Sequence, residues 1–524
     1  MKTIYSKNGM VAASQPDAAE AGLEILKKGG NAVDAAIATA ACLTVVEPTA
    51  NGIGGDAFAI VWMNGELHGL NASGPAPKSI STQKVKEQGH ETMPTFGWIP
   101  VTIPGLPAAW ATLSKRFGKL PLTEVLKPAI KIAEKGYAVT PTIAKSWQRT
   151  YDLYSTKMDK TEFSEWYRLF APNGRAPKAG EIMKFPDHAK TLAEIAKTNA
   201  ESFYRGELAT KIITEAGKKG GYLQASDLAE YAPEWVTPLS VNYRDYDVWE
   251  LPPNGQGVIA LSALNILKEF DFSTAEPATI THHQIEALKL AFTAGKNAIS
   301  DPQTTDYNQV EKLLSQEFAL SQAKKITNQA IEPSKCDIAK GGTVYLATAD
   351  ADGNMVSYIQ SNYMGFGSGV VIPSTGIAMQ NRGADFSLDP THANALVGGK
   401  KTYHTIIPGF LTKNGQAIGS FGVMGGYLQP QGHIQLLMNT IDFNMEPQAA
   451  LDAPRFHWLE KKIVELEDEF PSKIASELTK KGHEIRVLNN QSFFGRGQII
   501  WRNPVTGELS GGTEKRTDGH IAAY

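Results

Sequence analysis

The chain has 524 residues, is 42% hydrophobic and 20% charged, and carries a net charge of -3. This is globular composition with ample length for a large core, and the near-neutral charge gives no electrostatic case for nucleic acid or a membrane surface as a partner. Two cysteines, Cys42 and Cys336, supply no disulfide framework and fit a reducing compartment.

The N-terminal stretch MKTIYSKNGMVAASQPD has no apolar core of the secretory kind. The most apolar segment, Ala35 to Val46, is too short to cross a bilayer. A soluble cytoplasmic protein is expected. Ser14 to Lys28 reads as a helix, with Ser14 as cap, Pro16 in the first turn and Gly29-Gly30 as its end. Asn31 caps a second helix, alanine-rich, from Ala32 to about Leu43. Asn51-Gly52-Ile53-Gly54-Gly55-Asp56 permits tight turns but lacks the lysine ending of a phosphate loop. Ala57 to Met63 and Glu66 to Leu70 form a hairpin over Asn64-Gly65.

Helices are expected over Ala108 to Arg116, Thr123 to Lys135, Leu192 to Lys197 and Glu207 to Lys218, and another starts around Gly257. Trp147 and Trp166 read as core. His282 and His283 precede a helix expected over Gln284 to Ile299. The His282–Glu286 spacing suits a metal, but no third ligand is in view and a polar helix start accounts for the same residues, so no metal is expected. Residues 300 to 342 read as an exposed linker.

Gly341-Gly342-Thr343 then opens two strand-like runs, Val344 to Ala349 and Met355 to Ser361, joined by Asp350-Ala351-Asp352-Gly353-Asn354. A turn centred on Asp352 sets Ser361 opposite Thr343, within side-chain reach. A threonine after two glycines, with a second hydroxyl beside it, suits an N-terminal nucleophile. Once the Gly342–Thr343 bond is cut, the new α-amine, with a pKa of about 8, can accept the hydroxyl proton. A plain structural hairpin fits the same spacing.

Tyr403 to Pro408 enters a further strand that turns at Lys413-Asn414-Gly415-Gln416 and returns over Ala417 to Val423. It ends in Met424-Gly425-Gly426-Tyr427, before helix-like sequence from Gly432 to Asn439. Two glycines there offer backbone N–H groups to an oxyanion, or form a structural turn. Gly365-Phe366-Gly367-Ser368-Gly369 is followed by strand-like sequence, not by the helix that a dinucleotide fingerprint needs.

Taken together these stretches resemble the gamma-glutamyltransferase family of N-terminal-nucleophile hydrolases, which cut themselves before a threonine. The matching residues are Thr343, Asp352-Gly353-Asn354, Phe366-Gly367-Ser368-Gly369, Ser374-Thr375-Gly376-Ile377 and Asp385-Phe386-Ser387, with likeness running from the first helices to Arg516-Thr517-Asp518-Gly519. The segments SNYMGFGSG and YHTIIP resemble the transferase-like acylase branch. The resemblance implies an α+β fold, a four-layer αββα sandwich, in which 1–342 and 343–524 are the large and small cleavage products of one domain.

It also implies roles. Thr343 is the nucleophile, Ser361 stands where the family has a threonine that bonds it, and Gly425 and Gly426 form the oxyanion hole. Asp385 matches the acid that binds the substrate α-amino group, with Arg382, Tyr363 and His404 in the same substrate pocket. Family transferases carry an arginine for the substrate α-carboxylate, and Ser73 falls about where it should be. The implied activity is self-processing followed by hydrolysis or transfer of gamma-glutamyl amides of the glutathione type through a threonine acyl-enzyme. A non-glutamyl amide acylase of the cephalosporin-acylase kind is the alternative, and an uncleaved scaffold the rival of a different class. The expected partners are a small-molecule amide and the second cleavage product, in a heterodimer that leaves room for a dimer of heterodimers. No cofactor is expected.

Overall fold

Two seven-stranded sheets face each other between layers of helix in the computed structural model, which describes residues 1–333, 341–490 and 493–524. Cys336 and the last part of the expected linker, Ser334 to Lys340, lie outside the described residues. The first sheet runs His520–Ala523, Gly9–Ala13, Gly342–Asp350, Met355–Tyr363, Asp56–Met63, Glu66–Ala72, Glu234–Val236. The second runs Ile4–Ser6, Leu509–Thr513, Arg496–Arg502, Gln416–Met424, Gly409–Lys413, Tyr246–Glu250, Leu239–Tyr243. Pro16–Lys27 and Ala32–Val46 pack on the first sheet, and Gly257–Leu267 and Gln429–Ile441 on the second. This is the expected α+β sandwich, αββα in layer order. Both sheets interleave strands from before and after Thr343.

Ala32–Val46 is buried along its whole length, as an alanine-rich helix that is apolar all round should be. Asn31 caps it: its side chain accepts from Val33 N and Asp34 N, both at 3.0 Å, and Asp34 Oδ2 accepts in return from the Asn31 N–H. The preceding helix has Gln15, not Ser14, at its N-cap position with no side-chain cap bond, and the Ser14 hydroxyl donates to buried Glu47 instead.

Three expectations are corrected. Thr123 to Lys135 divides into Leu122–Val125 and Lys127–Lys135, because Pro128 fits only the first turn of a new helix. The linker is not open chain throughout: Tyr307–Leu313 and Gln316–Ala323 are helices that bury Val310, Leu313 and Ala319. Tyr403 to Pro408 is not strand, which begins at Gly409.

The helix containing His282 starts earlier than expected, at Pro277. His483, distant in sequence, joins His282 and Glu286, and all three are buried. The His282 Nδ1 and His483 Nε2 atoms lie 2.8 Å apart, and Lys289 Nζ sits 2.7 Å from Glu286 Oε1. Lys289 already neutralises the carboxylate, so a cation could enter only by displacing an ammonium group. The cluster also holds the chain ahead of Thr343, since Glu286 accepts from Ile331 N and Lys289 donates to Ile331 O.

A second buried charge cluster closes the C-terminal segment onto the fold. Arg516 bridges Glu467 at 2.5 Å and Glu514 at 2.6 Å, and Arg455 bridges Glu514 at 2.8 Å.

Candidate active site

The site forms where Gly342–Asp350 and Met355–Tyr363 lie together in the middle of the first sheet. The register pairs Val344 with Gln360 and Ala349 with Met355, then slips between Gly342 and Val344. The turn end is pinned: Asp350 accepts from Asn354 N at 3.0 Å and from Ala32 N at 2.9 Å. At the other end the slip leaves Thr343 beside Ser361, as the centred turn predicts. Thr343 Oγ1 donates to Ser361 Oγ at 3.2 Å. Ser361 Oγ donates in turn to the Gly342 carbonyl oxygen at 2.6 Å and accepts from Tyr363 N at 2.7 Å. One hydroxyl therefore touches both Thr343 Oγ1 and the carbonyl oxygen of the peptide bond before Thr343.

Gly426 lies against Gly341, just ahead of this peptide. A Cβ added at Gly341 would stand 3.1 Å from Tyr363 O and 3.4 Å from Gly426 Cα, a tight fit that its neighbours could meet only by a small shift. Gly425 and Gly426 have φ of +145° and +64°, conformations that favour glycine. They end the strand Gln416–Met424 and start the turn that leads into Gln429–Ile441. The first N–H groups of such a helix have no intrahelical acceptor. Gln256 fixes the turn by donating to Gly426 O at 2.9 Å and Thr405 O at 2.6 Å, while Tyr403 OH donates to Gln256.

Tyr363 has φ of +75°, a strained conformation for a large residue. It carries the ring under Arg382, whose guanidinium carbon lies 4.0 Å from the ring centre, a cation–π contact. The Tyr363 hydroxyl donates to Asp385 Oδ1 at 3.1 Å, and Tyr427 donates to the same oxygen at 2.9 Å. Burial raises the Asp385 pKa against the opposing charges of Lys296 and Arg382. Lys296 also lies 4.6 Å from the Tyr427 ring centre.

Arg382 is buried, 1% exposed. Its Nη1 donates to Thr405 Oγ1 at 2.9 Å, while among the described residues Nε and Nη2 have no hydrogen-bond partner. Among the described residues no ion pair joins it to Asp385. Burial lowers its pKa, with Tyr363, Asp385 and Asp56 opposing. His404 lies deeper, fully buried, bonded to Asp56 at 3.1 Å and packed on the Phe58 ring. Burial, reinforced by Arg382 and Lys401, holds it neutral. Burial also pushes Asp56 up to about 7 despite Arg382. Ser73 is buried and bonds Asn71 at 2.7 Å.

Thr343, Ser361, Gly425, Gly426, Tyr363, Asp385 and Arg382 therefore converge, with His404 behind Arg382. Sequence reasoning did not single out Tyr427, Lys296 or Asp56 as site residues. Tyr427 had the best signal, standing next to the glycine pair.

A profile of the family described as gamma-glutamyltranspeptidase matches residues 18–524. The chain is 34% identical to the glutathione hydrolase-like YwrD proenzyme of Bacillus subtilis and 33% identical to the oxamate amidohydrolase proenzyme of Klebsiella pneumoniae, in each case over 99% of both chains. The crystal structure of cephalosporin acylase from Bacillus halodurans superposes with a TM-score of 0.97 at 59% identity, covering 100% of this chain and 97% of that one. No helix among the described residues is long and apolar enough to cross a membrane. The chain belongs to the gamma-glutamyltranspeptidase family, enzymes of the N-terminal-nucleophile hydrolase and acyltransferase type.

Proposed function

We propose that the chain is a zymogen that cuts its own Gly342–Thr343 bond and then hydrolyses or transfers the acyl group of gamma-glutamyl amides through Thr343. In the first stage Thr343 Oγ attacks the Gly342 carbonyl carbon. The C–N bond breaks, the nitrogen takes a proton, and the resulting ester is hydrolysed by water to leave residues 1–342 and 343–524 as a heterodimer. In the second stage the freed α-amine accepts the Thr343 proton and Oγ attacks the substrate carbonyl. The N–H groups at Gly425 and Gly426 hold the oxyanion, and Asp385 receives the substrate ammonium. The acyl-enzyme passes to water or an amine.

The observation that carries this reading is the Ser361 hydroxyl, bonded at once to Thr343 Oγ1 and to Gly342 O. It polarises the carbonyl while steering the attacking oxygen. The names of the relatives, several of them proenzymes, support processing into two chains. Cytoplasmic location belongs to the same reading, supported by the low cysteine content.

Expression should yield two bands, with Thr343 as the N-terminus of the smaller. Thr343→Ala should stay as one band of about 57 kDa. Cutting of that variant at the same bond rules out Thr343 as nucleophile. An uncut wild-type chain favours the scaffold reading.

A second reading, a non-glutamyl amide acylase, is favoured by two features. Asp385 already accepts from two phenols, and Ser73 replaces the arginine expected for the α-carboxylate. Faster turnover of acyl amides that lack the α-amino and α-carboxylate groups than of gamma-glutamyl amides would select it.

A further inference from the structure

The turn at Gly425 and Gly426 hangs on the end of the strand Gln416–Met424, and that end outruns one of its neighbours. Pairing with Gly409–Lys413 stops at Gly409 opposite Phe421, two residues short of Val423. Val423 N donates to a side chain, His433 Nε2, at 3.3 Å. The other ring nitrogen, Nδ1, lies 2.6 Å from Glu250 Oε1. A carboxylate there accepts the Nδ1–H, which fixes the tautomer whose bare Nε2 accepts from Val423. Glu250, Val423 and His433 are fully buried. The helix Gly257–Leu267 begins against the Glu250 carboxylate, since a Cβ at Gly257 would stand 3.1 Å from Oε2, and its N-terminal end favours the charge. Packing closes the same point. Gly432 lets the helix Gln429–Ile441 come down on Val423, where a Cβ would stand 2.8 Å from Val423 Cγ1. The Phe421 and His433 rings meet with centres 5.0 Å apart. Tyr345, two residues after Thr343, packs its ring on Gly422 and ties this strand to the nucleophile's own.

We propose that Glu250 and His433 are positioning residues, which hold the strand end at Val423 and so aim the Gly425 and Gly426 N–H groups at the carbonyl over Thr343. The inference rests on the reading of those two glycines as the oxyanion hole. Neither side chain touches substrate. His433 acts through the Val423 peptide, two residues ahead of Gly425, and Glu250 acts through His433. A donor set displaced by about 1 Å loses about 100-fold in rate, so a hold this close to the glycine pair bears on turnover.

Three variants of the mature protein test this, assayed on gamma-glutamyl-4-nitroanilide and on an acyl 4-nitroanilide that lacks the α-amino and α-carboxylate groups. His433→Phe removes both ring nitrogens at similar shape. It should lower kcat per cut chain by about 10–100-fold with KM unchanged, the mark of an interaction made only in the transition state. Hydrogen exchange across Val423 to Gly426 should speed up in the same variant. His433→Gln sets an amide oxygen near the Nε2 position and should restore most of kcat and of the protection. His433→Asn reaches Glu250 but not Val423 and should behave like His433→Phe. Equal behaviour of His433→Gln and His433→Asn, or exchange as slow as wild type in all three, overturns the proposal, and the Gln and Asn variants decide it should His433→Phe fail to fold. Faster exchange in His433→Phe and His433→Asn, reversed in His433→Gln, with kcat unaltered throughout, upholds the hold on Val423 and removes Gly425 and Gly426 from the oxyanion hole instead.

Discussion

Arg516 and Arg382 are both buried arginines close to two acidic residues, and they are used in opposite ways. Arg516 bridges two glutamates and also donates to the carbonyls of Leu451 and Ala453, each at 2.9 Å. Arg382 keeps one hydroxyl partner, leaves two nitrogens without a hydrogen-bond partner among the described residues, and lies over a tyrosine ring. A buried charge without partners costs free energy. Arg382 is desolvated and only partly matched, which under the proposed function leaves it able to take a substrate carboxylate. Fully matched, Arg516 is arranged for the fold.

The largest expected effect lies at the matched arginine. Arg516→Ala strands Glu467 without its counter-charge, leaves Glu514 to Arg455 alone and should destabilise the protein by about 3–5 kcal/mol, read as a lowered Tm and reduced soluble yield. A Tm within a degree of wild type would abolish the distinction between the two arginines. Next is the reacting centre itself. Ser361→Ala should slow turnover by roughly 10–1000-fold, the scale of losing one positioned polar group, with Tm little changed and self-cleavage slowed. Wild-type turnover there would show that the bond to Thr343 has no part in catalysis.

Arg382→Ala is the matching test of the unmatched arginine. It should raise KM for gamma-glutamyl amides by an amount worth about 1.5–3 kcal/mol, leave self-cleavage intact, and leave Tm unchanged or higher. A fall in Tm as large as that of Arg516→Ala, with KM unaltered, would make Arg382 structural.

The smallest effects are slopes of stability against pH, and they have opposite signs. Burial works against ionised Glu514, but Arg455 and Arg516 prevail and bring its pKa from 4.5 down to about 2. Its contribution is present above pH 4.5 and is lost as pH falls toward 2. Asp56 is raised from 3.8 to about 7, so its contribution is present below pH 3.8 and is lost as pH rises toward 7. Glu514→Gln should flatten the acid limb of the Tm profile, and Asp56→Asn the limb between these two values. Profiles parallel to wild type in either variant would contradict the corresponding assignment.

The same contrast explains what could be read from the sequence. The hairpin that starts at Thr343 was legible because a short turn fixes its register, so Ser361 opposite Thr343 follows from counting residues. The Asn31 cap and the Asn64-Gly65 turn were legible for the same local reason. Arg382, Asp385 and Tyr363 were reached only through family resemblance, and their bonds to Tyr427 and Thr405 join segments that no local rule connects. His483 beside His282 is the plainest omission, since nothing within a helical turn of His282 points to a residue near the C-terminus. The helices between Tyr307 and Ala323 were passed over because a polar texture hid their few buried residues, Val310, Leu313 and Ala319.

The interleaved sheets bear on the history of each molecule. Strands Gly342–Asp350 and Met355–Tyr363 are inserted between Gly9–Ala13 and Asp56–Met63, and Gly409–Lys413 with Gln416–Met424 lies between Tyr246–Glu250 and Arg496–Arg502. A single chain reaches this weave with every partner tethered. Once cut before Thr343, two separate chains would have to find the same threading by diffusion. The uncut precursor should therefore refold from denaturant, whereas the cut enzyme, once unravelled, should not. Maturation would then turn a reversible equilibrium into kinetic persistence, and the lifetime of the active form would be set by how slowly it first opens.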